Sequence, residues 1–231
     1  MTCSRAFRVS LAAAAVILLA VPVPRAQQPG PFPRDGAKPS LDNELVTAWD
    51  VSWAPGRPTP LATRRFDQVT VTVSEGAIRS VRPDKTWTIA HHRMGDATFD
   101  ARGTSVSEEG IGPSIRRAIT LELKSYAPPR LNPTFLSGIT AKHLPGFFRE
   151  GVKLFETDRV IVWDKTFREG TGALHAHYNQ FVGVFIEAGT LNGRARSVGE
   201  VHMNGPDAKG EGNVHQEDVQ KQLRGIYVEY K

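Results

Sequence analysis

Leu45-Val-Thr-Ala-Trp-Asp-Val-Ser-Trp53 returns later in the chain as Arg159-Val-Ile-Val-Trp-Asp-Lys-Thr-Phe167, and that return decides the fold. Each copy then runs through a Gly-containing turn into a strand-like stretch closing on glycine, Leu61 to Gly76 in the first and Leu174 to Gly189 in the second. The copies also end alike, with Arg117-Ala-Ile-Thr-Leu-Glu-Leu-Lys124 against Arg224-Gly-Ile-Tyr-Val-Glu-Tyr-Lys231. A repeat sets the architecture before any local reading, and a unit of roughly 80 residues is a small domain rather than a solenoid turn.

Within the units the signals are those of strands. Val69, Val71 and Val73 alternate with Thr70 and Thr72, the period of a strand with one face buried. Turn pairs recur about every ten residues, among them Pro55-Gly56, Glu75-Gly76, Pro83-Asp84 and Asn192-Gly193. Short strands at that spacing predict an all-β chain of two tandem sandwiches or barrels. The boundaries read as 42–125 for the first unit and 151–231 for the second. Between them, 126–150 is a Pro-rich connection whose Ala141 to Glu150 part suits a helical turn.

The flanks read differently. Arg5 and Arg8 precede the apolar run Leu11 to Val21, with Ala26 closing the segment, so residues 1–26 are expected to be a secretory signal peptide. That run is short for a membrane span, and no stable membrane anchor is expected after its removal. Residues 27–41, with Pro29-Gly30-Pro31 and Phe32-Pro33, read as an extended linker. The lone cysteine, Cys3, falls in the leader, so the remaining chain has neither disulfide nor thiol nucleophile. The leader takes three arginines and no acid, leaving 26 Lys/Arg against 24 Asp/Glu. With no basic stripe interleaved with aromatics, nucleic acid is not an expected partner. The expected location is the periplasm or the exterior.

The chemistry sits in the second copy. In Leu174-His175-Ala176-His177 the imidazoles are two residues apart, so a strand turns both to one face. The first copy has Ala62 and Arg64 at those places. A further histidine closes Gly212-Asn-Val-His215, where the first copy has Gly103-Thr-Ser-Val106.

A glycine, a spacer, His-x-His, a closing glycine and then Gly-x-x-His resemble the cupin superfamily, whose jelly-roll barrels hold a metal inside. Gly170 or Gly172, His175, His177, Gly189, Gly212 and His215 match those positions, and the resemblance covers about 42–231 as two tandem cupin barrels. It implies a metal on His175, His177 and His215, with His202 as the alternative third ligand; His202 reads more simply as a surface or loop histidine. The Glu that cupins carry four or five residues after His-x-His is missing, because Phe181 and Val182 stand there. Gln180 shares the period of Val182, Val184 and Ile186 and is the candidate fourth ligand, which would leave the site with the metal's full charge.

Other residues carry readings of their own. Arg64 suits a grip on a carboxylate or phosphate in a metal-free pocket, or else Arg64 or Arg65 forms an ion pair with Asp67 at the sheet surface. His91 and His92 read as structural, with at most one facing the barrel. Trp49, Trp53 and Trp163 read as core.

The resemblance implies a divalent ion, Fe or Mn ahead of Zn or Ni, and dioxygenase, isomerase or decarboxylase chemistry on a small hydroxylated or carboxylated compound. The alternative is a small-molecule-binding or structural two-barrel protein without turnover. A homodimer is compatible with either. No Gly-x-Ser-x-Gly supports a hydrolase.

Overall fold

The computed structural model describes residues 30–124, 146–177, 179–204 and 214–231, and every regular element in it is a strand. The leader, the part of the connection up to Pro145, and Gly205 to Asn213 lie outside the described residues.

The first half holds β1 (Ala37–Asp42), β2 (Val46–Trp53), β3 (Ala62–Thr63), β4 (Asp67–Ser74), β5 (Gly76–Val81), β6 (Trp87–His92), β7 (Ala97–Asp100), β8 (Ser105–Ile111) and β9 (Arg116–Leu123). The second holds β10 (Val152–Glu156), β11 (Val160–Phe167), β12 (Gly170–Thr171), β13 (His175–Ala176), β14 (Phe181–Glu187), β15 (Gly189–Leu191), β16 (Arg194–Arg196), β17 (Val201–Asn204), β18 (Val214–His215), β19 (Asp218–Lys221) and β20 (Leu223–Tyr230).

The two halves repeat one topology. A five-stranded sheet runs β1-β2-β9-β4-β7 in the first and β10-β11-β20-β14-β17 in the second. Facing it is β3-β8-β5-β6 in the first half, and β12-β19-β15-β16 with the β13-β18 pair in the second. The strand pairings are antiparallel, and each half is a small jelly-roll barrel.

The repeated Trp-Asp dipeptide explains why both copies take the same register. Trp49 Nε1 donates to Glu122 at 2.8 Å, and Trp163 Nε1 donates to Glu229 at 2.8 Å. The next residue closes a bidentate pair across the same strands. Arg117 grips Asp50 at 2.8 and 2.8 Å, and Arg224 grips Asp164 at 2.9 and 2.6 Å. Fork-to-carboxylate geometry of this kind fixes orientation as well as contributing energy.

One apolar core joins the two barrels. Val46, Val69, Val71, Ile119, Leu121 and Leu123 of the first pack with Val160, Val162, Val182, Val184, Ile226 and Val228 of the second, all essentially inaccessible to solvent. The five-stranded sheets therefore meet face to face, and each barrel keeps a separate interior. That of the second is aromatic, built from Phe147, Phe167, Phe181, Phe185 and Tyr227. That of the first is smaller, around Val51, Trp53, Ile78 and Ala118.

Three details depart from the sequence reading. β4 is buried on both faces rather than one: its valines enter the shared core, while Thr70 bonds Thr120 at 3.1 Å and Thr72 accepts from Arg116 at 2.8 Å. Hydroxyls with partners inside cost little to bury, so a polar alternate face did not mean solvent. β1 belongs to the first sheet although it starts within 27–41, pairing with β2 over Ala37 to Asp42. Gly146 to Glu150, on the connection side of the boundary, forms a bridge and a turn that carry Phe147 and Phe148 into the second barrel.

Candidate metal centre

β13 and β18 cross the mouth of the second barrel as a two-stranded ribbon in which His175 stands opposite His215. Alternation along the first strand puts His177 beside His175, and along the second puts Glu217 beside His215. The ladder thus collects two i, i+2 pairs on one face. One ligand atom from each of His175, His177, His215 and Glu217 lies within 4.8 Å of all the others.

The contacts inside the group are short. His175 Nε2 is 3.2 Å from His177 Nε2, and His215 Nε2 is 3.1 Å from Glu217 Oε1. His175 Nδ1 faces Glu217 Oε2 at 3.3 Å and the Ala173 carbonyl at 3.1 Å. His175, His177 and Glu217 are buried, and His215 is half-buried.

The donor set fits a divalent cation. The two facing Nε2 atoms leave space for a single proton, and His177 Nδ1 is buried without a hydrogen-bond partner among the described residues. Burial, reinforced by positive charge on His175 and His215, pulls His177 down to about 2, so it is a neutral imidazole with a lone pair to give. Burial alone would raise the Glu217 carboxyl. The His175 hydrogen bond and the charge on His175 and His215 overcome that and hold it below the ordinary carboxylate range. Three imidazoles with one carboxylate suit Fe, Mn, Zn or Ni rather than a hard all-oxygen ion.

Aromatic packing holds the ligand-bearing strand. Phe147 lies 4.6 Å from the His177 ring and 5.2 Å from His175, and stacks on Phe181 at 5.0 Å. Its backbone N donates to the Ala176 carbonyl at 3.3 Å. Lys165, half-buried beneath, donates to the Phe147 carbonyl at 2.5 Å and lies 4.3 Å from that ring. Burial lowers the Lys165 ammonium, with Glu217 and Glu150 acting in the opposite direction.

Several cavities border the group. One of about 350 Å³ lies inside the barrel, bounded by His177, His202, His215, Glu217, Arg196 and Tyr227. A larger one of about 900 Å³ opens past His175, Glu217 and Lys165.

The structure thus brings together His175, His177 and His215 of the sequence-derived set and adds Glu217. Gln180 immediately precedes β14. The residues that share its period, Val182, Val184 and Ile186, face the core between the barrels, whereas Phe181 and Phe185 face the interior. The Gln180 Oε1 is buried without a hydrogen-bond partner among the described residues. His202 is not a loop residue. It lies on β17 opposite Gly183 and lines the inner cavity, outside the group of four. Burial, with Arg196 next in weight, lowers its pKa and keeps it neutral. Glu217 had a signal in the sequence that went unused, because His215-x-Glu217 repeats the two-residue spacing of His175-x-His177.

No protein-family model matches the sequence, and no curated protein is a significant match. Solved structures do share the fold. A single-residue mutant of salicylate 1,2-dioxygenase from Pseudoaminobacter salicylatoxidans is 10% identical, with 80% of this chain and 70% of that one covered at a TM-score of 0.54. AerE from Microcystis aeruginosa is 11% identical over 84% of this chain and 97% of that one, with a TM-score of 0.51. A cupin domain from Bordetella pertussis is 18% identical over 42% of this chain and 97% of that one, with a TM-score of 0.37. The first two span both barrels, so the fold is the cupin jelly roll in tandem.

Proposed function

We propose that this two-barrel cupin chain is a metal-dependent enzyme whose second barrel holds one divalent ion on His175, His177, His215 and Glu217. The observation that carries the reading is the pairing of His175 with His215, which gathers three imidazoles and a carboxylate within 4.8 Å. Glu217 changes the charge expected of the site. With Gln180 as fourth ligand a divalent ion would keep its full charge, and with Glu217 it keeps about one unit.

The substrate proposed is a small hydroxylated or carboxylated compound in the 350 Å³ cavity. A bound ion would supply Lewis-acid or redox chemistry at the reacting oxygen. The chain's own residues do the remaining work. Phe147, Phe181 and Tyr227 exclude water from the histidine side, and Asn204 and Arg196 offer polar contacts on the opposite wall. His202, neutral and outside the donor set, is the group placed to accept a proton from substrate. Dioxygenase chemistry is in keeping with the fold shared with the salicylate enzyme, and isomerase or decarboxylase chemistry are its rivals.

A binding protein without turnover is the second reading. It is favoured by one observation: apart from Glu217 the described lining of the inner cavity contains no carboxylate to pair with His202 as acid and base. Metal analysis of protein purified without chelator tests the first reading. One Fe or Mn per chain is expected, lost in the His175→Ala/His177→Ala double variant with the β-sheet circular dichroism retained. Metal retained at one per chain in that variant would sink the site. Oxygen uptake or substrate loss in a screen of small hydroxy acids then separates enzyme from binder.

Export is part of the same proposal. Residues 1–26 act as a cleaved leader and deliver the chain to the periplasm or the exterior. The test is N-terminal sequencing of protein from the periplasmic fraction, and a chain still beginning at Met1 in the cytoplasm would overturn it.

A further inference from the structure

The first barrel carries a cavity of about 300 Å³ where the second carries its histidines. The ladder positions correspond: Ala62 stands opposite Val106 as His175 stands opposite His215, and Arg64 takes the place of His177. Arg64 does not pair with Asp67. It reaches inward, donating to Gln68 at 2.7 Å and Glu108 at 3.0 Å, with Asp100 at 3.1 Å.

Two further arginines line the same space. Arg116 enters from β9 and Arg34 from the segment before β1. That segment is fixed over the mouth, with Phe32 stacked on Trp49 at 5.0 Å and the Arg34 guanidinium 5.2 Å from the Trp53 ring. Three guanidiniums therefore meet two carboxylates, Asp100 and Glu108, and His92 at the rim is held neutral by burial and by Arg116. Burial pulls Arg116 down only to about 10, so it remains cationic at neutral pH.

The hydrogen-bond accounting agrees with the charge accounting. Arg64 is 7% exposed and Arg116 2% exposed, and the Nε of each is buried without a partner among the described residues, as is Arg34 Nη2. Buried guanidinium N–H groups are costly to leave unpaired, and an excess cation in a low-dielectric cavity calls for an anion. Trp53 and Ile78 supply an apolar wall beside these groups.

We infer that the first barrel is a metal-free binding site for a small organic carboxylate, whose anionic end is held among Arg34, Arg64 and Arg116 and whose apolar end lies against Trp53 and Ile78. Planar guanidinium forks match a carboxylate's two oxygens, and the Gln68 and Glu108 contacts hold the Arg64 fork in place before the ligand arrives. The site is independent of the metal centre, since its residues belong to the other barrel.

Benzoate is the probe, with inorganic phosphate as comparison, each titrated into the full chain while Trp fluorescence and thermal stability are followed. Benzoate is expected to quench fluorescence saturably and to raise the melting temperature with concentration. Arg34→Gln should weaken benzoate at least about tenfold, the size of one lost charge-assisted hydrogen bond. Arg64→Gln should abolish binding. The Arg34 change, on a half-buried side chain outside the sheets, keeps the test open should Arg64→Gln fail to fold. The His175→Ala/His177→Ala variant should bind benzoate as the parent does, and Arg34→Gln should keep its metal, so failure of one site is distinguishable from failure of the other. No saturable benzoate binding, binding unchanged in Arg34→Gln, or phosphate binding in place of benzoate would each overturn the inference.

Discussion

Glu108 is the first barrel's counterpart of Glu217. It lies two residues beyond Val106, which faces Ala62, as Glu217 lies two beyond His215, which faces His175. One carboxylate answers an arginine and the other answers imidazoles. The two barrels thus share a carboxylate position and differ in the basic groups set against it.

That equivalence predicts a constructed site. Ala62→His, Arg64→His and Val106→His together should bind a second divalent ion, with Glu108 as its fourth ligand. Elemental analysis should rise from one to two ions per chain, and benzoate binding should disappear in the same protein. Metal staying at one per chain would show that ladder equivalence does not extend to side-chain geometry.

Glu217→Gln keeps the shape but removes the carboxylate charge from the donor set. Its metal affinity should fall more than about tenfold, since even outer partners of metal ligands carry that much. Competition with a chromophoric chelator measures it. Unchanged affinity would make Glu217 a hydrogen-bond partner of the histidines rather than a ligand.

Asp67 in the first barrel meets Arg159 of the second at 2.8 Å, in a pair whose side chains are 17% and 5% exposed. Arg159 also donates to the Leu123 carbonyl at 3.1 Å. Burial raises the Asp67 carboxyl, but the Arg102 N–H and the Arg159 guanidinium overcome it and leave it below its ordinary value. A depressed carboxylate stabilises the fold at pH above its unfolded value, about 3.9, and that contribution is lost as pH falls through the lower folded value. Asp67→Asn should cost about 3 kcal/mol at neutral pH, because it removes a buried counter-charge of Arg159. Its urea midpoint should also depend less on pH below about 4 than the parent's. A midpoint equal to the parent's at pH 7 would remove the pair from the interface energetics.

Gly183 sits on β14 where an added Cβ would lie 2.4 Å from Tyr227 Cε1. Tyr227 is fully buried among the aromatic residues under the metal centre, so it has little room to give. Gly183→Ala should destabilise by about 1–3 kcal/mol. It should also weaken metal binding through Phe147 and Phe181, which touch both Tyr227 and His177. Parent-like stability by denaturant titration would show that Tyr227 moves freely.

How much of this was legible depended on which comparison the sequence offered. Aligning Trp49-Asp50 with Trp163-Asp164 exposes both barrels, because the same Glu and Arg partners follow in each copy. The histidines were legible for the same reason: a two-residue period needs only a strand. Gln180 was hard to place because β14 is buried on both faces, and alternation tells two faces apart without saying which one encloses the site. Glu217 was missed because the family pattern seeks a carboxylate after His-x-His, whereas here it follows the third histidine. The arginine cavity was hidden more deeply. Arg34, Arg64 and Arg116 are far apart in sequence, and only the closure of the barrel brings them to one space.

The shared core has a further consequence. A lone barrel would expose the valine, isoleucine and leucine face that its twin now covers, and could hide it only by associating with another copy. Covalent fusion replaces that encounter with an effective concentration set by the connection, so the pairing no longer depends on how much protein is present. It also frees the halves from symmetry. Two identical subunits must carry the same interior, whereas two fused ones can keep their docking faces alike and fill one interior with imidazole and the other with guanidinium.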